Sequence, residues 1–236
     1  MKKKINYYTY TFEMKWLNIL AIILFVIISV PIYLLEKNQN LIIHLDLIEL
    51  FLAMFFYLIL HELFHGIGFL RIKGVKLENI TLGISLEKGV FYCMCKKNIG
   101  KKDILIALSL PVICLGLITL IIGLIIHSYE IIFLSILNIT SSIGDIMMII
   151  YFLKCPDDII YLDLDDCTSF TVISKEDLSE KKVLGITLKE KGIYTPKMKS
   201  HDQRKIIISK PSYFLIGLII FLIVLKIILD NELIII

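Results

Sequence analysis

The chain has 236 residues, 57% of them hydrophobic, a mean hydropathy of +0.82 and a formal net charge of +3. Soluble domains are about half apolar, so an excess of this size gathered into long runs excludes a secreted globular domain. The small net charge gives no footing for a nucleic-acid surface.

Lys2, Lys3, Lys4 and Lys15 precede a first apolar run over 17–35. That run is too long for a signal-peptide core and lacks a small-residue cleavage site, so it is expected to be retained. Further runs cover 50–70, 104–126, 131–153 and 213–229. Each is near the roughly 20 residues that cross a bilayer as a helix. The reading is an all-α membrane protein of about five transmembrane helices, a single integral membrane domain over 1–236. Basic residues crowd the segments 72–103 and 154–210 and thin out between runs one and two and between three and four. This alternation places the N-terminus in the cytoplasm and the C-terminus outside a cell membrane crossed several times.

The second run carries His61, Glu62 and His65. Burying three such groups in lipid is costly and marks a functional site. Residues four apart on a helix lie one turn apart on nearly the same face, so His61 and His65 can turn their imidazoles to one ion, with Glu62 beside it. This is the His-Glu-x-x-His arrangement of two zinc ligands and a carboxylate base. Composition alone predicts roughly 0.005 occurrences in a chain like this one. A catalytic zinc takes three protein ligands and keeps one position open. The third is sought at matching depth, and Asp145 is the only acidic residue within the fourth run. Counting from the cytoplasmic ends of runs two and four puts His61, His65 and Asp145 about 9–15 Å deep at 1.5 Å per residue. Asn138, Ser141 and Ser142 lie near the same face as Asp145, where the serines suit polar packing between helices and Gly144 suits close approach.

Between runs two and three, Ile80, Leu82, Ile84 and Leu86 alternate with polar or small residues, and Glu87-Lys88-Gly89 leads into 90–95. Period two around a Gly-containing turn predicts a β-hairpin. After run four come an acidic stretch from Asp157 to Asp166, read as a solvated loop, and Ser174-Lys-Glu-Asp177, read as a helix-starting box. Residues 185–194 repeat the hairpin pattern, so a second hairpin there could join the first in one small sheet. Five cysteines in this layout are expected as reduced thiols rather than a disulfide framework.

His61-Glu-Leu-Phe-His65 within a span, a cytoplasmic hairpin, and Asn138-Ile-Thr-Ser-Ser-Ile-Gly-Asp145 on a later span resemble a bacterial zincin peptidase family of membrane proteins, itself related to the site-2 proteases. The resemblance runs from about run two to Asp166. It implies Zn2+ held by His61, His65 and Asp145, Glu62 as the general base that activates water, and a contact from Asn138 to substrate or an oxyanion. It also implies a membrane-embedded or juxtamembrane peptide substrate that pairs with the hairpin edge. Gly144-Asp145 departs from the Leu-Asp-Gly order of site-2 proteases. Two other readings stand beside this one: a metal or proton transporter, which the almost wholly apolar stretch 50–57 disfavours, and a zinc protein without proteolytic activity.

Overall fold

The computed structural model describes residues 5–36, 47–85, 90–163 and 168–195. Its helices are α1 (Met14–Glu36), α2 (Leu47–Leu70), α3 (Lys101–Pro111), α4 (Thr119–Ile125), α5 (Tyr129–Ser141) and α6 (Ile143–Leu153). A π-helical segment, Val112–Ile118, joins α3 to α4. The strands are β1 (Asn6–Phe12), β2 (Ile80–Ser85), β3 (Val90–Cys95), β4 (Ile99–Gly100), β5 (Ile160–Asp163), β6 (Ser169–Ser174) and β7 (Ile186–Ile193).

The all-α expectation is therefore wrong. Five strands form an antiparallel sheet in the order β4-β5-β6-β1-β7. Its middle is built from residues of high strand propensity: the Tyr-Thr alternation of β1 and the SFTVIS of β6. All six residues of β6 are buried, so its brief Ser-Phe-Thr-Val alternation does not mark an exposed face. Thr9 and Thr171 meet across β1 and β6 with their hydroxyls 2.9 Å apart. The outer strand β7 carries Lys189, Glu190 and Lys191 on its exposed length, a charged edge that resists pairing with other chains.

The hairpin β2–β3 forms a separate two-stranded sheet, in register from Ile80↔Cys95 to Ser85↔Val90; its turn lies outside the described residues. The expected second hairpin is instead the single strand β7, whose Gly192 lies against the Tyr7 ring where a Cβ would come within 2.6 Å. The expected helix after Ser174 is a pair of turns. The Ser174 hydroxyl accepts from the Glu176 N–H and the Asp177 carboxylate from the Ser179 N–H, local bonds that compete with helix formation.

Three helical passages are long and apolar enough to cross a membrane: Met14–Leu35, Ile48–Leu70 and Lys101–Ile125. Where the fourth span was expected stand two helices, Tyr129–Ser141 and Ile143–Leu153, bent by 49° at a break between them. The expected span at 213–229 lies outside the described residues. The break has a local cause. The hydroxyls of Ser141 and Ser142 donate to the Asn138 carbonyl at 3.1 and 2.5 Å, alongside the Ser142 N–H at 3.0 Å. Serine bonding back to the preceding turn bends helices. The serines thus shape the helix rather than glue it to a neighbour.

The core sits where the sheet receives the ends of α3 and α6. Tyr8, Tyr151, Phe152 and Phe170 are fully or almost fully buried there with Ile104 and Ala107. Each buried Phe contributes about 1.5–3 kcal/mol of transfer free energy. This packing fixes the later turns of α6, whose first turn carries Asp145, and the turns of α3 that carry Ala107.

Candidate metal centre

His61 and His65 lie one turn apart on α2, both buried. The bend before α6 swings Asp145 toward them. Asp145 Oδ2 stands 3.1 Å from His61 Nε2 and Oδ1 stands 3.5 Å from His65 Nε2, while the two Nε2 atoms are 3.2 Å apart. The three residues form a group able to hold a metal ion, with one ligand atom of each within 4.8 Å of the others.

The outer nitrogens fix the direction of the inner ones. His65 Nδ1 is 2.9 Å from the Ala107 carbonyl, which only accepts, so Nδ1 carries the proton and donates. His61 Nδ1 donates to Asn138 Oδ1 at 3.0 Å, and Asn138 Nδ2 donates to the Pro111 carbonyl at 3.1 Å. Two neutral imidazoles held this way aim lone pairs from both Nε2 atoms at each other and at a carboxylate. Such a knot of acceptors needs a cation. One added proton satisfies one of these contacts, whereas a dication satisfies all. Zinc bound at about 2.0–2.1 Å in a tetrahedron sets its ligand atoms about 3.3–3.4 Å apart, and the observed separations bracket that value. The residues fit zinc.

Close approach of helices makes the outer bonds reachable. A Cβ on Gly68 would lie 2.7 Å from the Ala107 Cα, so only glycine lets α3 approach α2 this closely, one turn after His65. Gly116 plays the same part between the π-helical segment and α5, where a Cβ would meet Ile139 at 2.6 Å. Among the described residues a Cβ on Gly144 would meet nothing within 4 Å, so none of them makes the helix contact expected of it.

Glu62 is partly buried and accepts a hydrogen bond from the Cys93 N–H of β3. Two residues further along the strand, the Cys95 N–H donates to Asp163 Oδ2 at 2.8 Å. Asp163 Oδ1 accepts from the Tyr161 hydroxyl. Burial pushes the Asp163 carboxyl up to about 6, against the opposing pull of those two donors. Burial also raises the Cys93 thiol, with Glu62 and Asp163 adding to the effect, which disfavours the thiolate.

A cavity of ≈ 430 Å³ joins these groups, lined by His61, Glu62, His65, Asp145 and Asp163 together with residues of α1, β3 and β6. The edge of β3 therefore faces the same space as the histidines. Asn138, expected at substrate, has both ends of its amide engaged with His61 and Pro111.

The backbone carbonyls of Ala107 and Pro111 and the N–H of Cys93 carry no side-chain signature and were beyond sequence reasoning. Asp163 sat in an acidic stretch read as a solvated loop. Part of that stretch does face outward, Asp157 pairing with Lys101 at 2.9 Å and Asp158 with Lys175 at 3.0 Å; Asp163 alternates inward with Tyr161.

No curated protein and no solved structure matches this chain. Residues 54–160, a stretch that includes His61, Glu62, His65, Asn138 and Asp145, match the model of a family described as "Putative zincin peptidase".

Proposed function

We propose that this chain is a zinc-dependent membrane metallopeptidase that hydrolyses peptide bonds in or beside the bilayer. The observation that carries the reading is the convergence of two imidazole lone pairs and a carboxylate at 3.1–3.5 Å, with both histidines locked by outer acceptors. His61, His65 and Asp145 hold the metal. Zinc at that position supplies Lewis acidity, which polarises a carbonyl and lets water lose a proton near neutral pH.

The remaining chemistry belongs to the chain. Glu62 takes the proton from water and passes it to the leaving amine, the work of a positioned carboxylate. While waiting, it is held by the Cys93 N–H. Asn138 and the Ala107 carbonyl keep His61 and His65 in the tautomer that points Nε2 inward, the service that outer hydrogen bonds render at zinc sites. An extended substrate segment lies along β3, its carbonyls taking over the Cys93 and Cys95 N–H groups that Glu62 and Asp163 hold without it, so that strand addition positions its backbone. Apolar helices on the other walls suit a substrate that is itself membrane-embedded. The basic flanks of the helices fit an N-terminus in the cytoplasm.

The test uses the full chain purified in detergent. Wild type is expected to hold zinc near one per chain and to cleave peptides drawn from membrane segments. Glu62→Gln should keep the zinc and lose cleavage. Zinc content unchanged in His61→Ala/His65→Ala refutes the metal site. Cleavage that survives in Glu62→Gln refutes the assigned base.

A further inference from the structure

The cavity holds one carboxylate that the proposed chemistry does not use. Asp145 and Glu62 are engaged, the first with both histidines and the second with the Cys93 N–H. Asp163 reaches the same cavity, and its described partners are a neutral backbone N–H and a neutral phenol. A carboxylate has about four lone-pair sites, so these two donors leave acceptor capacity facing the cavity. Among the described residues, no Lys or Arg lines that cavity. Lys101 is held elsewhere, by the Cys155 carbonyl at 2.6 Å and Asp157 at 2.9 Å. A partly buried carboxylate with no cation is disfavoured where it stands, and its raised carboxyl reflects this. An incoming ammonium or guanidinium relieves that state, as a charge-assisted bond in a place of low dielectric.

Position follows from the strand. Glu62 and Asp163 hold alternate N–H groups of the same β3 edge, at Cys93 and Cys95. Residues two apart on a paired strand lie about 6.6–6.8 Å apart and point to the same side. A segment laid along β3 with its reacting bond over Glu62 takes the Cys95 N–H from Asp163 and brings a residue two positions away beside the carboxylate it has released. We propose that Asp163 is a specificity subsite for a cationic side chain, so that the preferred substrate carries Lys or Arg two residues from the position held opposite Cys93. This inference rests on the peptidase reading above.

The experiment walks a single Lys through an N-acetylated, otherwise neutral apolar peptide, with Gln and acetyl-lysine at each position as controls. Cleavage by zinc-loaded full-length protein is read as kcat/KM. Binding is read by fluorescence anisotropy on Glu62→Gln protein. The expected result is a preference of tenfold or more for Lys over Gln and over acetyl-lysine at one position. The Lys/Gln ratio falls to about one in Asp163→Asn and persists in Asp163→Glu. Zinc content of each variant reports whether the site remains folded. The acetyl-lysine comparison leaves the protein untouched, so it decides the matter even where a variant misfolds. Cleavage without any Lys preference, or a preference that survives in Asp163→Asn, overturns the subsite and leaves the peptidase reading standing. Lys-selective binding that depends on Asp163, with no cleavage of any peptide, supports the subsite and refutes the peptidase. Equal binding of all three peptide forms overturns the subsite.

Discussion

Asn138→Ala isolates the outer support of the metal centre. The amide is buried, accepts from His61 Nδ1 at 3.0 Å and donates to the Pro111 carbonyl at 3.1 Å. Truncation removes two hydrogen bonds, each contributing about 0.5–1.5 kcal/mol net, and strands a buried N–H and a buried carbonyl that cost about 1–3 kcal/mol apiece if water does not reach them. A loss of about 2–4 kcal/mol in stability follows. His61 is also freed to rotate or change tautomer, and loss of an outer-shell partner of this kind weakens metal binding about 10–100-fold, or about 1.4–2.8 kcal/mol. The assay is competition for zinc between detergent-solubilised protein and a chromophoric chelator, run beside thermal unfolding with and without zinc. Thr140→Ala is the control. Its hydroxyl bonds back to the Ile136 carbonyl of its own helix at 3.0 Å, and zinc affinity should change by less than twofold. An Asn138→Ala protein that unfolds cooperatively and binds zinc within twofold of wild type refutes the argument that Asn138 holds His61.

Gly68→Ala should destabilise the protein by about 1–3 kcal/mol, as overpacking does, because the new Cβ meets the Ala107 backbone at 2.7 Å. It should also weaken zinc by moving the Ala107 carbonyl off His65. Gly144→Ala, which meets nothing within 4 Å, should be neutral in stability; an equal loss from both would overturn the packing account. Ser141→Ala/Ser142→Ala removes the two hydroxyls on the Asn138 carbonyl, and zinc affinity should fall severalfold as the helix straightens and carries Asp145 away. Unchanged affinity would show that the bend has another cause. Asp163 has its carboxyl raised by burial from 3.8 to about 6, so the native state takes up a proton that the unfolded chain releases. That contribution is neutral below about pH 4, and the native state loses about 3 kcal/mol as pH climbs to about 6 and beyond. Asp163→Asn should flatten this slope in urea titrations, and an identical pH profile would refute the burial of the charge.

The candidate metal site was legible because its parts are local or conspicuous. His61, Glu62 and His65 fall within a single turn and a half of one helix, and Asp145 stands alone among apolar residues. The sheet was not legible, because its information is spread along the chain. β1 pairs with β6 and β7, more than 150 residues away. β6 is buried on both faces, and its alternation lasts only the four residues Ser169–Val172. β7 looks like a hairpin because Gly192 resembles a turn residue, yet its glycine serves the Tyr7 ring. The bend at Ser142 was hidden for a related reason: a serine facing a partner helix and a serine bonding its own backbone read alike until the turn is seen.

The central place of β1 in the sheet imposes a rule of parity. β1 belongs to the same sheet as β4 and β5, and a hydrogen-bonded sheet lies on one side of a membrane. For a chain whose apolar helices cross a bilayer, the number of crossings between Phe12 and Ile99 is then even, and so is the number between Gly100 and Ile160. α1 and α2 supply the first pair. Once Lys101–Ile125 crosses, the broken helix Tyr129–Leu153 must cross as well, since a re-entrant excursion would leave β5 on the far side from β4. On that condition the bent segment that carries Asp145 would be a full crossing, and the sheet and the hairpin would share a single face.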